Sequence, residues 1–356
     1  MRFLSQQNAA LKPQWSRNTH SHLQLCAITP KFVVVNKPSG IQCNGTKNYS
    51  QYLLPQLYKL VKEYYSTKFL SYKVNPLEFK LIHRLDRFVS GGLIVARKKY
   101  ASTYGSSLSG LSKERKLTRR YVGLISVNSN TSLRNQILNL SDPKFRDGER
   151  IINLNGQECD KSHFKGLLFN DSSLISGHIN FDIKCLAKDD RKHQKKIKPF
   201  ATYQAQTNFR ILYDLVYLPS PDQKRRYPHL YAGKTIYPIV FELVTGRKNQ
   251  IRDHVLQAFG VTLLNDDKFP IFKYAAQHGH SSHPNLNSEV YHSNQIGLHS
   301  AYLKIPSNAQ QKEYIFPFSR SDQALWFGFL NKENLREEIT EILKLRSIFN
   351  SGTTEH

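Results

Sequence analysis

The sequence predicts an α+β fold, and three observations support this prediction. Short runs of β-branched and other apolar residues recur along the 356-residue chain, bounded by Gly, Pro or polar residues as strands usually are. Stretches with apolar residues at helical spacing are fewer and lie between these runs. The chain is also long enough to bury a sizeable core, as one large domain or two small ones. We therefore expect strands to form the frame of the molecule and helices to flank it.

Charge and cysteine content narrow the class of protein. The chain has 51 Lys and Arg against 27 Asp and Glu, a formal net charge of +24, which indicates a polyanionic partner. No apolar stretch reaches the length of about eighteen residues that a membrane span needs, so we expect no membrane partner. The cysteines Cys26, Cys43, Cys159 and Cys185 show no Cys-x-x-Cys spacing, which favours a reducing compartment and argues against a cysteine-based zinc site.

The first strand and the first helix are predicted near the N-terminus. Residues 32–41 form a β-branched run that ends in a Pro-Ser-Gly turn, the pattern of a strand followed by a turn. Residues 51–65 place Leu53, Leu57 and Val61 on one helical face, so we predict a helix there, with Pro55 near its start.

Residues 81–96 join a charged turn to an apolar strand. Asp86 follows His83 and Arg84 closely, and the run at 92–96 is short and β-branched, as in a buried strand. A carboxylate among cations stays charged, because opposite charge favours the ionised form. A held, ionised carboxylate is a candidate nucleophile or base. The alternative is an ordinary surface ion pair.

A basic segment and another strand follow. Residues 97–120 are rich in Lys and Arg, and we predict that Lys113, Lys116 and Arg119 contact phosphates, with a solvated helix face as the alternative. The strand at 120–125 begins with Tyr121, an aromatic residue that would otherwise be plain core.

Three insertions are predicted in the second half of the chain. Residues 128–200 are polar with few sustained apolar periods, and their basic tail contains Lys192, Lys195 and Lys196, which we expect to contact a nucleic-acid backbone. Residues 219–233 read as a Pro- and Arg-rich hairpin tip. Residues 265–294 contain four histidines whose spacing matches no common ligand set, so we expect no metal.

The last predicted elements surround a second charged turn. The alternating run at 237–244 predicts a strand, and residues 245–255 read as a glycine turn that leads into a helix. On that helix Ile251 faces inward, with Gln250 and Arg252 on either side of the apolar stripe. We predict a further strand at 296–305 and a closing helix over 322–346.

Two motifs carry a resemblance to a known family. His83-Arg84-Leu85-Asp86 with Ser90-Gly91, and Thr245-Gly246-Arg247 with Gln250-Ile251-Arg252, are similar to the signature loops of the RluA branch of the pseudouridine synthases. Both occur in the expected order, and the blocks of similarity span about residues 32–305. The resemblance implies the pseudouridine synthase fold, a mixed and largely antiparallel central sheet with flanking helices and a central cleft. Asp86 would lie at the floor of that cleft.

The resemblance also implies roles for individual residues. Asp86 attacks the uridine, at the sugar or at the ring, and Arg252 pairs with Asp86 and orients it. Tyr121 packs against the target base with Ile251 beneath it, and base stacking on an aromatic ring is worth about 1–3 kcal/mol. Arg84 helps to hold the flipped-out state, and no cofactor or metal takes part. The further substrate contacts would be His83, Arg247 and Gln250.

The chain departs from the family pattern at a few positions of these motifs. Val89 stands where Thr is usual, Arg119 where Lys is usual, Asn249 where His is usual, and Asp253 where a small apolar residue is usual. None of these changes removes the acid or its Arg partner.

The N-terminal residues indicate where the protein acts. Residues 1–25 are basic, lack Asp and Glu, and have no continuous apolar core, which indicates a mitochondrial presequence; a basic arm that contacts RNA is the alternative. We therefore expect residues 26–356 to form a monomeric catalytic domain in the mitochondrion, ahead of the cytoplasm or nucleus. Ribosomal RNA is the expected partner and transfer RNA the alternative, and a catalytically silent RNA-binding assembly factor is the competing class.

Overall fold

The structure is a computed structural model. It describes the following residues: 22–45, 51–68, 78–103, 117–140, 143–147, 150–153, 155–159, 164–186, 200–267, 269, 295–305 and 311–350.

Strands make up most of the regular structure in these ranges. They are β1 (Gln24–Ile28), β2 (Phe32–Lys37), β3 (Phe79–Leu81), β4 (Ser90–Arg97), β5 (Thr118–Asn128), β6 (Lys144–Asp147), β7 (Arg150–Asn153), β8 (Glu158–Cys159), β9 (Leu167–Phe169), β10 (Ser176–Ile179), β11 (Ile183–Leu186), β12 (Phe200–Tyr203), β13 (Thr207–Ile211), β14 (Lys234–Leu243), β15 (Leu298–Ile305), β16 (Lys312–Ile315), β17 (Leu330–Asn331) and β18 (Asn334–Leu335).

Fourteen of the described strands form one mixed sheet. Its order is β1-β2-β4-β15-β5-β14-β13-β10-β9-β6-β7-β8, with β3 beside β4 and β16 beside β15. The β4–β15 and β6–β9 pairs are parallel and the other pairs in the described residues are antiparallel. β15 comes late in the chain yet lies between β4 and β5, which are early. The remaining strands form the separate β11–β12 and β17–β18 pairs.

Helices cover parts of this sheet. They are α1 (Leu53–Lys68), α2 (Leu133–Asn139), α3 (Pro221–Arg226), α4 (Pro228–Tyr231), α5 (Gln250–Phe259) and α6 (Glu337–Lys344). No helix in the described ranges combines the length and the apolar composition needed to cross a bilayer.

The sheet separates two regions of apolar packing. Because successive residues of a strand point to opposite faces, Tyr121 and Ile125 of β5 join one core cluster, and Val122 and Leu124 join another. The first cluster contains the buried sides of α1, α2 and α5, and the second contains the C-terminal segment around Trp326. The charged turns that concern function lie on the first side.

These observations confirm the α+β prediction and most of the elements. The mixed, largely antiparallel central sheet is present, with flanking helices. The helix predicted at 51–65 is α1, and the strand-turn-helix predicted at 237–255 is β14 followed by α5. The predicted cleft stays a prediction.

The insertion predicted at 128–200 contains more regular structure than its polar sequence indicates. Five strands of this range, β6 to β10, extend the main sheet through the β10–β13 pair. They are two to four residues long, too short for an alternating pattern to stand out in a polar sequence. The predicted hairpin tip at 219–233 does join two antiparallel strands, β13 and β14, and it contains α3 and α4.

The closing helix predicted over 322–346 was wrong in its length. Leu325, Trp326 and Phe329 are buried as expected, but the chain around them forms 3₁₀ turns and the β17–β18 hairpin. Lys332 in that hairpin turn has φ 58°, which a helix does not allow. The helix itself is limited to α6, because residues buried around a hairpin can match helical spacing by coincidence.

The N-terminal boundary differs from the predicted one as well. β1 begins at Gln24 and pairs with β2, so residues 24 and 25 belong to the sheet rather than to a leader. Residues 1–21 lie outside the described residues.

Candidate active site

Asp86 lies on the turn between β3 and β4, as the sequence predicts. Its side chain is 30% exposed, while its neighbours Leu85 and Phe88 are buried in the core on either side of it. The buried apolar neighbours fix the turn, so the carboxylate projects from an anchored backbone. Val89 N–H also donates to the Asp86 carbonyl at 3.2 Å, which closes the turn.

A buried lysine supports this turn from below. The ammonium of Lys37, at the end of β2, is fully buried and donates to the carbonyls of Pro38, Ile41 and Arg87 at 3.0, 3.0 and 3.2 Å. Gly40 N–H donates to the Arg87 carbonyl at 2.8 Å. The turn after β2 is thereby bonded to the residue next to Asp86. Desolvation lowers the pKa of Lys37 to about 8, so the amine is still charged at neutral pH.

A buried acid fixes the other side of the same β2 turn. The Asp322 carboxylate accepts from the Ser39 hydroxyl at 2.6 Å and from the Ser319 hydroxyl at 2.6 Å, and it is 2% exposed. The C-terminal segment therefore fixes the turn after β2, and that turn supports the loop that carries Asp86. Behind Asp86 itself, the Cys43 thiol donates to the Leu85 carbonyl at 3.2 Å.

The second charged turn joins β14 to α5, and Gln250 shapes it. The Gln250 side-chain oxygen accepts from the Thr245 hydroxyl at 2.8 Å and from Arg247 N–H at 2.9 Å. Its nitrogen donates to the Gln206 carbonyl and to the Thr207 hydroxyl, both at 2.9 Å. These contacts use the full hydrogen-bonding capacity of a buried amide. Gln250 therefore holds the turn, and its predicted substrate contact stays a prediction.

Arg252 lies two residues further along α5 and faces two acids. Its guanidinium makes two hydrogen bonds of 2.8 Å to Asp266, through Nε and Nη2, while Nη1 is 3.4 Å from Asp86 Oδ2. The ring of Phe269 lies 4.3 Å from the guanidinium carbon. Arg252 and Asp266 are 3% and 1% exposed. The structure thus brings Arg252 to Asp86 as predicted, and it adds an acid that fixes the guanidinium.

Tyr121 lies in the core on the same side of the sheet. Its ring is 4% exposed and belongs to the cluster that contains Ile251. Burial raises the pKa of Tyr121, so the phenol is neutral. Contact of the ring with a target base stays a prediction.

Two predicted roles change because the side chains point inward. His83 is buried, and its Nε2 accepts from Ile94 N–H at 3.0 Å. Burial lowers the pKa of His83 to about 3, so His83 is neutral, and the prediction of a cation beside Asp86 at this position was wrong. Its bond to β4 makes it a support of the strand, and its predicted substrate contact stays a prediction.

Arg119, predicted on the basic surface, is likewise only 5% exposed. Its guanidinium lies against Gly246, where even an Ala side chain would meet it at 3.1 Å. The prediction assigned it to a basic segment that contacts phosphates, but β5 begins at Thr118, and the alternation of a strand turns Arg119 to the same side as Tyr121.

The other predicted contacts are exposed or lie outside the described residues. Arg84 and Arg247 are exposed, and Arg247 donates to the Gln204 carbonyl at 3.2 Å with its guanidinium 5.2 Å from the Tyr203 ring. Their contact with substrate stays a prediction. The predicted backbone contacts Lys113, Lys116, Lys192, Lys195 and Lys196 fall outside the described residues, as does the His-rich loop. Across the described ranges, no three His, Cys, Asp or Glu side chains are grouped to hold a metal ion.

Sequence reasoning missed Lys37, Asp266 and Asp322. Lys37 had a signal, since a lysine at the end of a β-branched run stands out, yet the pattern alone does not say where its amine points. Asp322 and Asp266 are acids in a basic chain, which is a weak hint of buried pairing. No periodicity marks either residue.

Comparison with known proteins agrees with this geometry. The family model for RNA pseudouridylate synthase matches residues 31–257, a range that contains Asp86, Tyr121 and Arg252. A protein of Candida albicans named 21S rRNA pseudouridine(2819) synthase is 36% identical over 85% of this chain and 99% of its own length.

More distant relatives have related names. A protein of Eremothecium gossypii with the same name is 23% identical over 85% of this chain and 80% of its own length. Ribosomal large subunit pseudouridine synthase C of Buchnera aphidicola is 28% identical over 37% of this chain and 38% of its own. With a family match over most of the chain, two signature turns and their acid–arginine pair in one site, this chain belongs to the RNA pseudouridylate synthase family.

Proposed function

We propose that this enzyme converts one uridine of mitochondrial large-subunit ribosomal RNA into pseudouridine. The bond between C1′ and N1 of the uridine breaks, the uracil rotates, and a bond between C1′ and C5 forms. N1 gains a proton and C5 loses one, so atoms and electrons balance without an oxidant or reductant. The target base must first leave its stack, because C1′ and C5 are inaccessible in a helix.

The proposal depends most on the arrangement around Asp86. An accessible carboxylate lies 3.4 Å from a buried guanidinium that another acid holds in place. Such a carboxylate can act as nucleophile on the uridine. In this scheme Arg252 positions Asp86, and Tyr121, a neutral phenol, assists at C5. Arg84 and Arg247, both exposed, contact the RNA backbone beside the extruded base.

The choice of target has a different basis. The Candida albicans relative carries a name that specifies 21S rRNA, and similarity extends over 99% of that protein. This supports ribosomal over transfer RNA. The acid-free, basic composition of residues 1–21 supports a mitochondrial leader, and we propose that the enzyme acts there as a monomer.

Pseudouridine mapping tests both the reaction and the target. Mitochondrial and cytosolic RNA are mapped in cells that lack the gene and in the same cells expressing the wild type or Asp86→Asn at matched levels. In cells that lack the gene, we expect one pseudouridine site of mitochondrial large-subunit RNA to be absent. Expression of the wild type should restore that site, and expression of D86N should not.

Two outcomes would contradict the proposal. Loss confined to transfer RNA would assign the enzyme to that substrate. Ribosome assembly restored by D86N, with no pseudouridine site changed in any strain, would identify a silent RNA-binding assembly factor.

A further inference from the structure

Asn249 has an unusual backbone conformation beside the site. It is the residue before α5, with φ 57° and ψ 20°, in the left-handed region. Residues other than Gly rarely adopt this backbone conformation, and Asn, Asp and His are the most common exceptions. The position therefore accepts few residue types.

The Asn249 amide faces the carboxylate of Asp86. With its nitrogen toward Asp86, the amide donates to Oδ1 at 3.2 Å and to Oδ2 at 2.8 Å. The opposite orientation would set the amide oxygen against two carboxylate oxygens, with only a contact of 3.4 Å from Arg252 Nη1 in return. The contact from Arg252 to the same carboxylate is longer, at 3.4 Å. The Asn249 amide is thus the closer of these two donors to Asp86.

We infer that Asn249 is a positioning residue for Asp86; this inference rests on the proposed function, in which Asp86 is the nucleophile. Arg252 alone leaves the carboxylate free to rotate about a single long contact. A donor that reaches both oxygens removes that freedom and directs the carboxylate. Asn combines the left-handed backbone with an N–H donor. His meets the same two requirements, which explains how Asn can replace the residue that is usual at this position of the motif.

Other charged and titratable groups also face Asp86. They are Arg252 from α5, Lys37 from β2, Tyr121 from β5 and Cys43 from the segment before α1; Arg84 and Arg87 flank Asp86 on its own turn. These groups remain when the Asn249 amide is removed. Because hydrogen bonds to a carboxylate favour its charged form, the loss of the amide should shift Asp86 toward protonation without abolishing its ionisation.

The test compares Asn249→Gly with the wild type in tritium release from 5-tritiated RNA. Gly keeps the left-handed backbone and removes only the amide. We expect kcat to fall about 10- to 100-fold, as for loss of a hydrogen bond to a charged group, with KM nearly unchanged. The acidic limb of the pH–rate profile should move to higher pH. Asn249→His should restore most of the activity, and the matched control Lys332→Gly, at another left-handed position, should behave as the wild type.

A second readout separates this inference from the proposed function. Titration of the Asp86 carboxyl by ¹³C NMR needs no substrate, with Asp86→Asn used to assign the signal. Its midpoint should rise in N249G and rise further in Asn249→Asp, which places a like charge beside Asp86. If both midpoints equal that of the wild type, Asn249 does not position Asp86, whatever RNA the enzyme modifies. If the midpoints shift but the wild type releases no tritium from ribosomal RNA, only the proposed substrate is wrong.

Discussion

The guanidinium of Arg252 serves two carboxylates that differ in surroundings. Asp266 is buried and takes two hydrogen bonds of 2.8 Å, whereas Asp86 is partly open to solvent at 3.4 Å. A bidentate pair fixes the plane of an arginine as well as its position. Asp266 therefore fixes the direction of Arg252 Nη1, and Nη1 in turn positions the Asp86 carboxylate.

We predict that Asp266→Asn lowers kcat by about 100-fold, since a misplacement of about 1 Å can have an effect of that size. KM should change little, because Asp266 is buried away from the RNA. Tritium release measured against RNA concentration gives both constants. Removing one partner of a buried ion pair also destabilises a protein by about 3–5 kcal/mol, so folding is checked by circular dichroism at the assay temperature.

The neighbouring acid provides the control for this prediction. Asp267 accepts from the Thr262 hydroxyl at 2.8 Å and, in the described contacts, does not pair with Arg252. Asp267→Asn should keep kcat within about twofold of the wild type. Equal kcat values for folded D266N and D267N would show that Asp266 does not orient Arg252.

At this scale the sequence predicted the acid and its arginine but not their supports. Asp86 and Arg252 lie in motifs whose residue types are tied to chemistry, so local sequence identifies them. Asp266 and Lys37 act through contacts between distant segments, and nothing in their local sequence states which partner they meet. Gln250, Arg119 and His83 are buried. Local sequence did not show this, because the burial of a side chain depends on where its element begins and on what packs against it.

At the scale of elements, His299 joins three strands or strand ends. Its Nε2 lies 2.9 Å from the Phe316 carbonyl, which only accepts, so Nε2 carries the proton and Nδ1 accepts from the Ser90 hydroxyl at 2.9 Å. This neutral imidazole connects β4 and β15 to the residue after β16, and it stacks on Phe318 with ring centroids 3.9 Å apart. Burial lowers the pKa of His299 to about 4.

This burial makes stability depend on pH. The folded pKa lies below the unfolded value of about 6.5, so between these values the unfolded chain binds more protons and stability falls as pH decreases. We predict that His299 alone removes about 2 kcal/mol of unfolding free energy between pH 7.5 and pH 5. Urea unfolding at the two pH values measures the difference.

His299→Gln should remove this part of the pH dependence, because Gln does not titrate. The matched variant His22→Gln changes an exposed imidazole and should leave the pH dependence as it is in the wild type. An H299Q protein with the full wild-type loss at pH 5 would contradict the assignment.

Elements were predictable where their patterns were long. α1, β14 and α5 have ten or more residues and clear periods, and all were predicted. The short strands from β6 to β10 and the β17–β18 hairpin were not, because two to four residues fit several periods equally well. The partners of β15 were equally hidden, since strand order is set by long-range packing.

At the scale of the whole molecule, the charge of +24 should govern RNA affinity. The basic segment 187–199 follows β11 and precedes β12. The end of this pair near Ile183 and Tyr203 lies close to the second charged turn and its helix: His254 Nε2 is 3.0 Å from the Phe181 carbonyl, and the Arg247 guanidinium is 5.2 Å from the Tyr203 ring.

We predict that RNA binding weakens when Gln replaces Lys192, Lys195, Lys196 and Lys198. The slope of log K against log salt should fall by about 0.7–0.9 for each phosphate that the variant no longer binds. Filter binding between low and physiological salt measures the slope. The control replaces Lys224, Arg225 and Arg226 of α3, next to α4, whose buried residues pack on the other side of the sheet. If the control set reduces the slope equally, or if neither variant reduces it, the four lysines are solvated surface.

The position of β15 determines when the enzyme can become active during its synthesis. β4, which follows Asp86, and β5, which carries Tyr121, are adjacent only through β15, which begins 170 positions after β5 ends (β5 ends at Asn128 and β15 starts at Leu298). A nascent chain that has emerged only as far as β14 exposes a strand edge on each side of the gap, and such edges promote aggregation. Catalytic competence is thus a late event in biogenesis, and a premature stop codon before β15 yields no partial enzyme.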